Sequence, residues 1–359
     1  MRCDRQVFGG PPRPFCRVAN WGFPKVQDRD AGTDQGPDPP VEGDQRRGRS
    51  GVRSQSIVME QDRPELILGT HEERGFEDGE HKIRPLIEVR RQDVFVIHSL
   101  YGDAEQSPND KLCRLLFFIG ALKDAGAERV TAVVPYLCYA RKDRRTQSRD
   151  PVTTKYVARL FEACGADAVM TFDVHNVAAF ENAFRCPSTN LEAMPLFIEH
   201  FTRLLRHEKL AVVSPDIGGA KRAEQFRRAL AAELHEEPTG AFVEKRRSGG
   251  VVTGDLLIGE VRDRAVIIFD DLISTGTTLQ RAARRCSEAG ATRIFAAATH
   301  GLFMGKAPAI LAEPLFEGIA VADTVRSIAA AEHRLAGNIV HLDSSKLVAD
   351  AIMMAHTGM

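Results

Sequence analysis

The sequence has no surplus of charge of either sign, no long apolar run and no paired-cysteine motif. Its 359 residues carry 48 Lys and Arg against 49 Asp and Glu. That balance argues against the basic surface that non-specific nucleic-acid binding needs, so no nucleic-acid partner is expected. No apolar stretch is long enough to span a bilayer, and none near the first residues reads as a secretory signal. No membrane partner is expected either. The seven cysteines (Cys3, Cys16, Cys113, Cys138, Cys164, Cys186 and Cys286) are odd in number, with no C-x-x-C pair. A reduced, cytoplasmic protein with buried thiols is expected, rather than a disulfide scaffold or a zinc site.

Residues 1–62 are crowded with Gly, Pro, Arg, Asp and Gln and show no sustained apolar period. PPRP and GPDPP punctuate them. Such a segment cannot bury enough apolar surface to offset its ordering entropy, so it is expected to be a disordered tail. Its basic run, Arg46–Arg53, could touch an anionic partner but reads better as a solvated tail. Organised sequence begins just after Met59, and that methionine is the expected native start.

Beyond the tail the pattern alternates. Strands are expected at DVFVIHSL (93–100), RVTAVVPYL (129–137), DAVMTFDV (167–174), KLAVVSPD (209–216), AVIIFDD (265–271) and RIFAAATHG (293–301). Helices are expected at KLCRLLFFIGALKDAG (111–126), TTKYVARLFEACG (153–165), GGAKRAEQFRRALAAELH (218–235) and TLQRAARRCSEAG (278–290). Regular alternation of this kind is the pattern of an α/β protein with parallel sheets and ligands at the strand C-terminal ends. AGAERVTAVV (125–134) resembles AGATRIFAAA (289–298), a weak repeat that suggests two similar halves. The STGTT loop precedes only the second copy, so only the second half is expected to hold a sugar phosphate.

Five clusters carry candidate chemistry. In AVIIFDDLISTGTTL (265–279) an apolar run ends in Asp270 and Asp271, and Ser274, Thr275, Gly276, Thr277 and Thr278 lead into a helix. Backbone N–H groups at such a turn favour a phosphate. The carboxylates can accept from ribose hydroxyls and help hold a hard cation. A capped helix after a buried strand would use the same residue types. In VVSPDIGGAKRAEQF (212–226) another strand ends in an acid, Asp216. Gly218 and Gly219 permit close backbone approach, and Lys221 and Arg222 follow in the first helical turn. Cations there oppose the helix dipole, so they need a local anion or must face solvent. YARKDRRTQSRDP (139–151) crowds Arg141, Lys142, Arg144, Arg145 and Arg149 into one loop after a strand, a composition that suits nucleotide phosphates or plain solvation. TFDVHN (171–176) puts His175 just past a strand, where a metal or nucleotide role and a structural role both fit. FVEKRRSGGVV (242–252) reads as a mobile, positively charged lid or an exposed turn.

Together these clusters resemble the ribose-phosphate pyrophosphokinases (phosphoribosyl diphosphate synthetases). The likeness runs from about Leu66 to Ile352. It rests on FEDGE (76–80), PYLCYARKDRR (135–145), SRDP (148–151), FDVHN (172–176), VVSPDIGGAKRA (212–223), EKRR (244–247) and DDLISTGTT (270–278), in the family's order. DDLISTGTT alone also fits the type I phosphoribosyltransferases. The resemblance implies two tandem type I phosphoribosyltransferase-like domains, with parallel sheets flanked by helices, at 63–205 (ATP side) and 206–359 (ribose 5-phosphate side). It implies transfer of the diphosphoryl group of ATP to the 1-hydroxyl of ribose 5-phosphate, with Mg²⁺ as cofactor. It also implies a homo-oligomer with the active site at a subunit interface. Asp270, Asp271 and Ser274 through Thr278 would bind ribose 5-phosphate. Phe76, Asp78, Glu80, Arg141, Lys142 and Asp143 would bind ATP. His175 and Asp216 would serve the metal, and Lys245 and Arg247 would be catalytic.

Four positions depart from common family patterns. Ser274 stands where many members have a third Asp, Lys142 where many have Gln, and Thr277 where a glycine is usual. Lys245-Arg246-Arg247 replaces a Lys-acid-Arg order, so either arginine could be the catalytic one. Two other activities share some of these motifs: a type I phosphoribosyltransferase, and a non-catalytic regulatory subunit of a synthetase. The latter should have lost the lid cations, His175 or the acid pair, all of which are present.

Overall fold

The computed structural model describes residues 16–21, 66–234, 236–248, 251–325 and 337–358. Met59 and the basic run at Arg46–Arg53 lie outside the described residues. Alternation of apolar strands and amphipathic helices produces two parallel sheets. The first contains β1 (Cys16–Trp21), β2 (Leu66–Leu68), β5 (Asp93–His98), β6 (Arg129–Val134), β7 (Ala168–Phe172) and β8 (Ser188–Leu191), in the order β2-β1-β5-β6-β7-β8. A separate antiparallel hairpin is made by β3 (His71–Gly75) and β4 (His81–Pro85). The second sheet contains β9 (Leu210–Ser214), β10 (Thr239–Ser248), β11 (Val251–Gly259), β12 (Ala265–Ile273), β13 (Arg293–Gly301), β14 (Gly318–Ala322) and β15 (Ile339–Leu342). Its order is β11-β10-β9-β12-β13-β14-β15, and only β10 and β11 pair antiparallel.

Strand β1 corrects one expectation. Cys16–Trp21 lies within the segment read as a disordered tail, yet it pairs in parallel with both β2 and β5. Main-chain hydrogen bonding to β5, whose six residues are all buried, outweighs the poor composition of its flanks.

The helices are α1 (Pro108–Asp124), α2 (Thr153–Ala163), α3 (Val177–Ala183), α4 (Met194–Leu204), α5 (Ala220–Glu233), α6 (Thr277–Glu288), α7 (Ala307–Leu311) and α8 (Ser345–Thr357). Helix α1 begins three residues earlier than the apolar period suggests. Ser107 and Asp110 form a reciprocal capping box there, and Pro108 suits the first turn.

The sequence repeat has a structural counterpart. Gly126 and Gly290 end α1 and α6 at φ +87° and +92°. The Ala127 N–H bonds Leu122 O and the Ala291 N–H bonds Cys286 O, each at 3.0 Å, the same helix-ending geometry in both halves. The Gly126 and Gly290 carbonyls accept from Arg91 and Asp263, both themselves at positive φ.

Each sheet has its own core, and a third core joins them. Phe95 and Phe172 from the first sheet, Phe197 and Phe201 from α4, Phe226 from α5, Phe269 and Phe295 from the second sheet, and Val348 and Ile352 from α8 form one buried cluster. Phe226 stacks on Phe269 with centroids 4.2 Å apart. Helix α8 also ties back by polar contacts. His356 Nδ1 meets Asp93 Oδ2 at 2.8 Å, and the Ala355 carbonyl accepts from Arg129 Nη2 at 2.8 Å.

Candidate active site

The site lies where strand ends of both sheets converge. Strand β12 carries Asp270 and Asp271, then a short loop leads to α6. The loop's base is pinned: the Ile273 carbonyl accepts from Leu302 and Phe303, and the Ser274 carbonyl accepts from Met304 at 2.8 Å. Gly276 then turns the chain at φ +76°, a conformation that favours glycine. Helix α6 starts at Thr277, one residue before the sequence pattern suggests, and no side chain caps it. Its first ladder bond is the Gln280 N–H to Gly276 O, so the amides of Thr277 to Leu279 precede the ladder. Thr275 and Thr277 place their hydroxyls 3.2 Å apart. The loop thus offers hydroxyls and helix-terminal amides, the chemistry that takes a phosphate.

The acid pair is joined to the first sheet. His175 follows β7, and its Nδ1 lies 2.7 Å from Asp271 Oδ2. Burial pushes the Asp271 carboxyl up, but the His175 hydrogen bond and the nearby Arg222 charge outweigh it and hold the carboxyl below its usual range. An ionised carboxylate only accepts, so Nδ1 carries the proton and donates, leaving Nε2 for other ligands. Asp270 behaves oppositely. Burial, and then the adjacent Asp271 charge, push its carboxyl well above the usual range.

Arg222, in the first turn of α5, faces both acids. Its Nη1 lies 3.4 Å from Asp270 Oδ1 and 3.3 Å from Asp271 Oδ1. Its Nη2 lies 3.5 Å from the His175 carbonyl. Here the local anion demanded by a first-turn cation is present, while Lys221 is exposed. Arg222 is the residue the sequence left without a role, although its conflict with the helix dipole pointed to it.

Asp216 ends the run after β9 and turns the chain. Its Oδ1 accepts from the Gly218 N–H at 2.9 Å and the Gly219 N–H at 3.2 Å. Gly219 cannot carry a side chain without shift, because a Cβ there would lie 2.7 Å from Ser214 Oγ.

The basic loop after β6 approaches the same place. Arg141 and Lys142 are exposed, and Asp143 Oδ2 accepts from Asn176 Nδ2 at 2.7 Å, beside His175. Thus the loop and the FDVHN segment are one unit. Tyr139 sits at φ +61°, with its carbonyl accepting from Lys142 N and Thr154 Oγ1, each at 3.0 Å. Asp173 is engaged between the two sheets. It takes the Thr299 hydroxyl at 2.6 Å and the Ala193 N–H at 3.0 Å, tying β7 to β13. Beside it His300 is buried with both ring nitrogens engaged, Nδ1 to Thr324 Oγ1 at 2.8 Å and Nε2 to Phe172 O at 3.2 Å. Tyr136 stands edge-on to it at 5.1 Å, and Ser99 Oγ donates to Thr324 O at 2.6 Å. This polar seam fixes the two sheets behind the site. Asp173 stood out in sequence only as a neighbour of His175, and Ser99, Thr299, His300 and Thr324 did not, because isolated Ser, Thr and His have no period.

Two groups stand apart. Phe76, Asp78 and Glu80 occupy the exposed turn of the β3–β4 hairpin, and their hydrogen bonds close that turn itself. Lys245 and Arg247 lie on β10, which pairs with β9 only over Thr239–Phe242. Beyond that, β10 continues with β11 as a two-stranded ribbon, Lys245 opposite Asp255 and Arg247 opposite Val252, with an irregularity between Arg246 and Arg247. The lid sequence therefore includes paired strand up to Ser248, rather than a plain loop.

For a metal, the described residues contain no group of three or more His, Cys, Asp or Glu that could enclose an ion. The half-exposed imidazole and the carboxylates suit instead a hard cation that keeps waters and takes substrate oxygens, as Mg²⁺ does. No helix of the described residues is long and apolar enough to cross a membrane.

Comparison with known proteins gives consistent matches. Residues 56–165 match the model for the N-terminal domain of ribose phosphate pyrophosphokinase, and residues 251–359 match that for the phosphoribosyl synthetase-associated domain. The chain is 38% identical to the ribose-phosphate pyrophosphokinase of Rhodopirellula baltica over 284 residues, covering 78% of this chain and 85% of that protein. It is 38% identical to the ribose-phosphate pyrophosphokinase of Haemophilus influenzae over 289 residues, covering 80% and 88%. Among solved structures, it resembles the phosphoribosylpyrophosphate synthetase of Mycobacterium smegmatis with a TM-score of 0.75 at 29% identity, covering 84% of this chain and 95% of that one. That likeness extends over both sheets and bears out the expected tandem α/β architecture.

Proposed function

The chain belongs to the ribose-phosphate pyrophosphokinase family, and on that premise we propose that it transfers the diphosphoryl group of ATP to the 1-hydroxyl of ribose 5-phosphate, releasing AMP. The observation that carries this reading is the His175–Asp271 contact. It joins the basic loop of one sheet to the phosphate loop of the other at a single point.

The residues divide the work. Ser274 through Thr278 hold the 5-phosphate on the α6 amides, and Asp270 and Asp271 accept from the ribose hydroxyls and would help hold a divalent cation. Arg141, Lys142 and Asp143 bind ATP. The 1-hydroxyl oxygen attacks the β-phosphorus, and the bond from that phosphorus to the oxygen bridging the α-phosphorus breaks. The hydroxyl proton leaves to solvent, and AMP departs with its α-phosphate. Such a transfer rests on positioning and charge stabilisation. Lys245 and Arg247, on the ribbon, neutralise charge on the moving group. His175 Nε2 and Asp216 would hold Mg²⁺, directly or through water, and the ion when bound neutralises polyphosphate oxygens. Phe76, Asp78 and Glu80 project on an exposed hairpin, which supports a homo-oligomer in which this turn completes a neighbouring copy's ATP site. The free thiols of Cys113, Cys138, Cys164, Cys186 and Cys286 support a reducing, cytoplasmic setting.

Purified protein incubated with ATP, Mg²⁺ and ribose 5-phosphate should form AMP and 5-phosphoribosyl 1-diphosphate in equal amounts. Intact ATP, with consumption of added phosphoribosyl diphosphate in the presence of a nucleobase, would favour a type I phosphoribosyltransferase. Inertness in both assays would favour a regulatory subunit.

A further inference from the structure

Among the described residues, the cation that faces both carboxylates of the acid pair is Arg222. One nitrogen, Nη1, sits at nearly equal distance from two oxygens of different residues, 3.4 Å from Asp270 Oδ1 and 3.3 Å from Asp271 Oδ1. A strong arginine–carboxylate pair has another geometry: two nitrogens meet two oxygens of one carboxylate at about 2.8 Å. The contacts of Arg222 are long and shared, the placing of a bridging cation held loosely. Its third contact, Nη2 to the His175 carbonyl at 3.5 Å, is at the limit of a hydrogen bond. The guanidinium brings a full positive charge and five N–H donors to this place, and it accepts no hydrogen bond. The side chain also starts from the first turn of α5, where the helix dipole disfavours a cation and favours an anion. It is thus held by the acid pair against a local field that would welcome phosphate beside it.

We propose that Arg222 is a displaceable counter-cation of the sugar-phosphate site. Its Nη1 occupies the place between the two carboxylates and yields it to a divalent cation and the ribose hydroxyls as they bind. The released guanidinium then faces anionic substrate groups at the α5 N-terminus. Arg222 is in this sense a positioning residue, setting the order in which positive charge reaches the site. The inference rests on the reading of Asp270 and Asp271 given above.

The test measures Mn²⁺ binding to the full chain by electron paramagnetic resonance, without substrates. Arg222→Met removes the charge and keeps much of the stem. It should bind Mn²⁺ about tenfold tighter than the unaltered protein, because a competing cation at close range has gone. Adding Asp271→Asn to that variant should abolish the gain. A merely structural role would weaken binding, not tighten it, so equal or weaker Mn²⁺ affinity in Arg222→Met would overturn the proposal. Circular dichroism checks the fold. If the Met variant is unfolded, Arg222→Lys takes its place, since a compact ammonium cannot straddle both acids as well. It should still bind Mn²⁺ tighter than the unaltered protein, and unchanged or weaker affinity would again overturn the proposal. Failure of the unaltered protein to form AMP would remove the reaction but not this result, and equal Mn²⁺ affinities would remove the counter-cation whatever the assay gave.

Discussion

Asp271 is buried, charged and bonded to a histidine from the other sheet, which makes it the residue whose chemistry the rest of the site surrounds. Asp271→Asn replaces a carboxylate oxygen with an amide donor and weakens its grip on cation and sugar. Steady-state kinetics should show a raised KM for ribose 5-phosphate or Mg²⁺ with the fold retained. Unchanged kinetics would reduce the acid pair to a turn. His300 makes a different prediction. Burial lowers its pKa from 6.5 to about 4. Well above pH 6.5 both folded and unfolded forms are neutral, so it adds no pH dependence there. Between pH 6.5 and 4 the unfolded chain takes up a proton that the folded chain refuses, so stability falls with pH. The difference between pH 7 and pH 5 amounts to about 2 kcal/mol. Urea unfolding at both values should show that much steeper loss for the unaltered protein than for His300→Gln, and parallel losses would contradict the assignment. Much of this scale was legible in sequence. The acids, hydroxyls and glycine of DDLISTGTT stand together in the chain, and Arg222 betrayed itself by opposing its helix. His300, Thr299 and Ser99 did not, because their partners are distant in sequence and only folding brings them near.

At the scale of elements, the β10–β11 ribbon is the part that reaches beyond the parallel sheet. The sequence announced its cations and its glycine pair. It did not announce pairing up to Ser248, because charged residues have little strand propensity and only the cross-strand partner on β11 supplies the hydrogen bonds. The same reason hid β1, whose partner β5 lies far along the chain. Lys245→Ala should lower kcat by about a thousandfold, the scale seen when one cation is removed from a phosphoryl-transfer site. Ribose 5-phosphate affinity, measured by calorimetry, should change little. Near-normal turnover would take the ribbon out of the mechanism.

Across the whole molecule, the two sheets are not independent beads. Phe197, Phe201, Phe226 and Ile352 bury one another between them, and α8 returns to Asp93 and Arg129 of the first sheet. Alternation of strands and helices foretold two α/β halves, and the paired Gly126 and Gly290 foretold their likeness. The shared core was not foretold, since an apolar residue looks the same whether it faces its own half or the other. Ile352→Ala should cost about 3 kcal/mol. Unfolding should remain one transition by fluorescence and by circular dichroism, and separate transitions for the two halves would contradict a common core. The joined halves also make one site from two loops, and that is the claim on which the functional account depends. The most direct measurement is ³¹P nuclear magnetic resonance of ATP, Mg²⁺, ribose 5-phosphate and protein in one tube. The account predicts that the β- and γ-phosphorus signals move together to a sugar diphosphate as AMP appears. Release of ADP, or of orthophosphate with no sugar diphosphate, would contradict it.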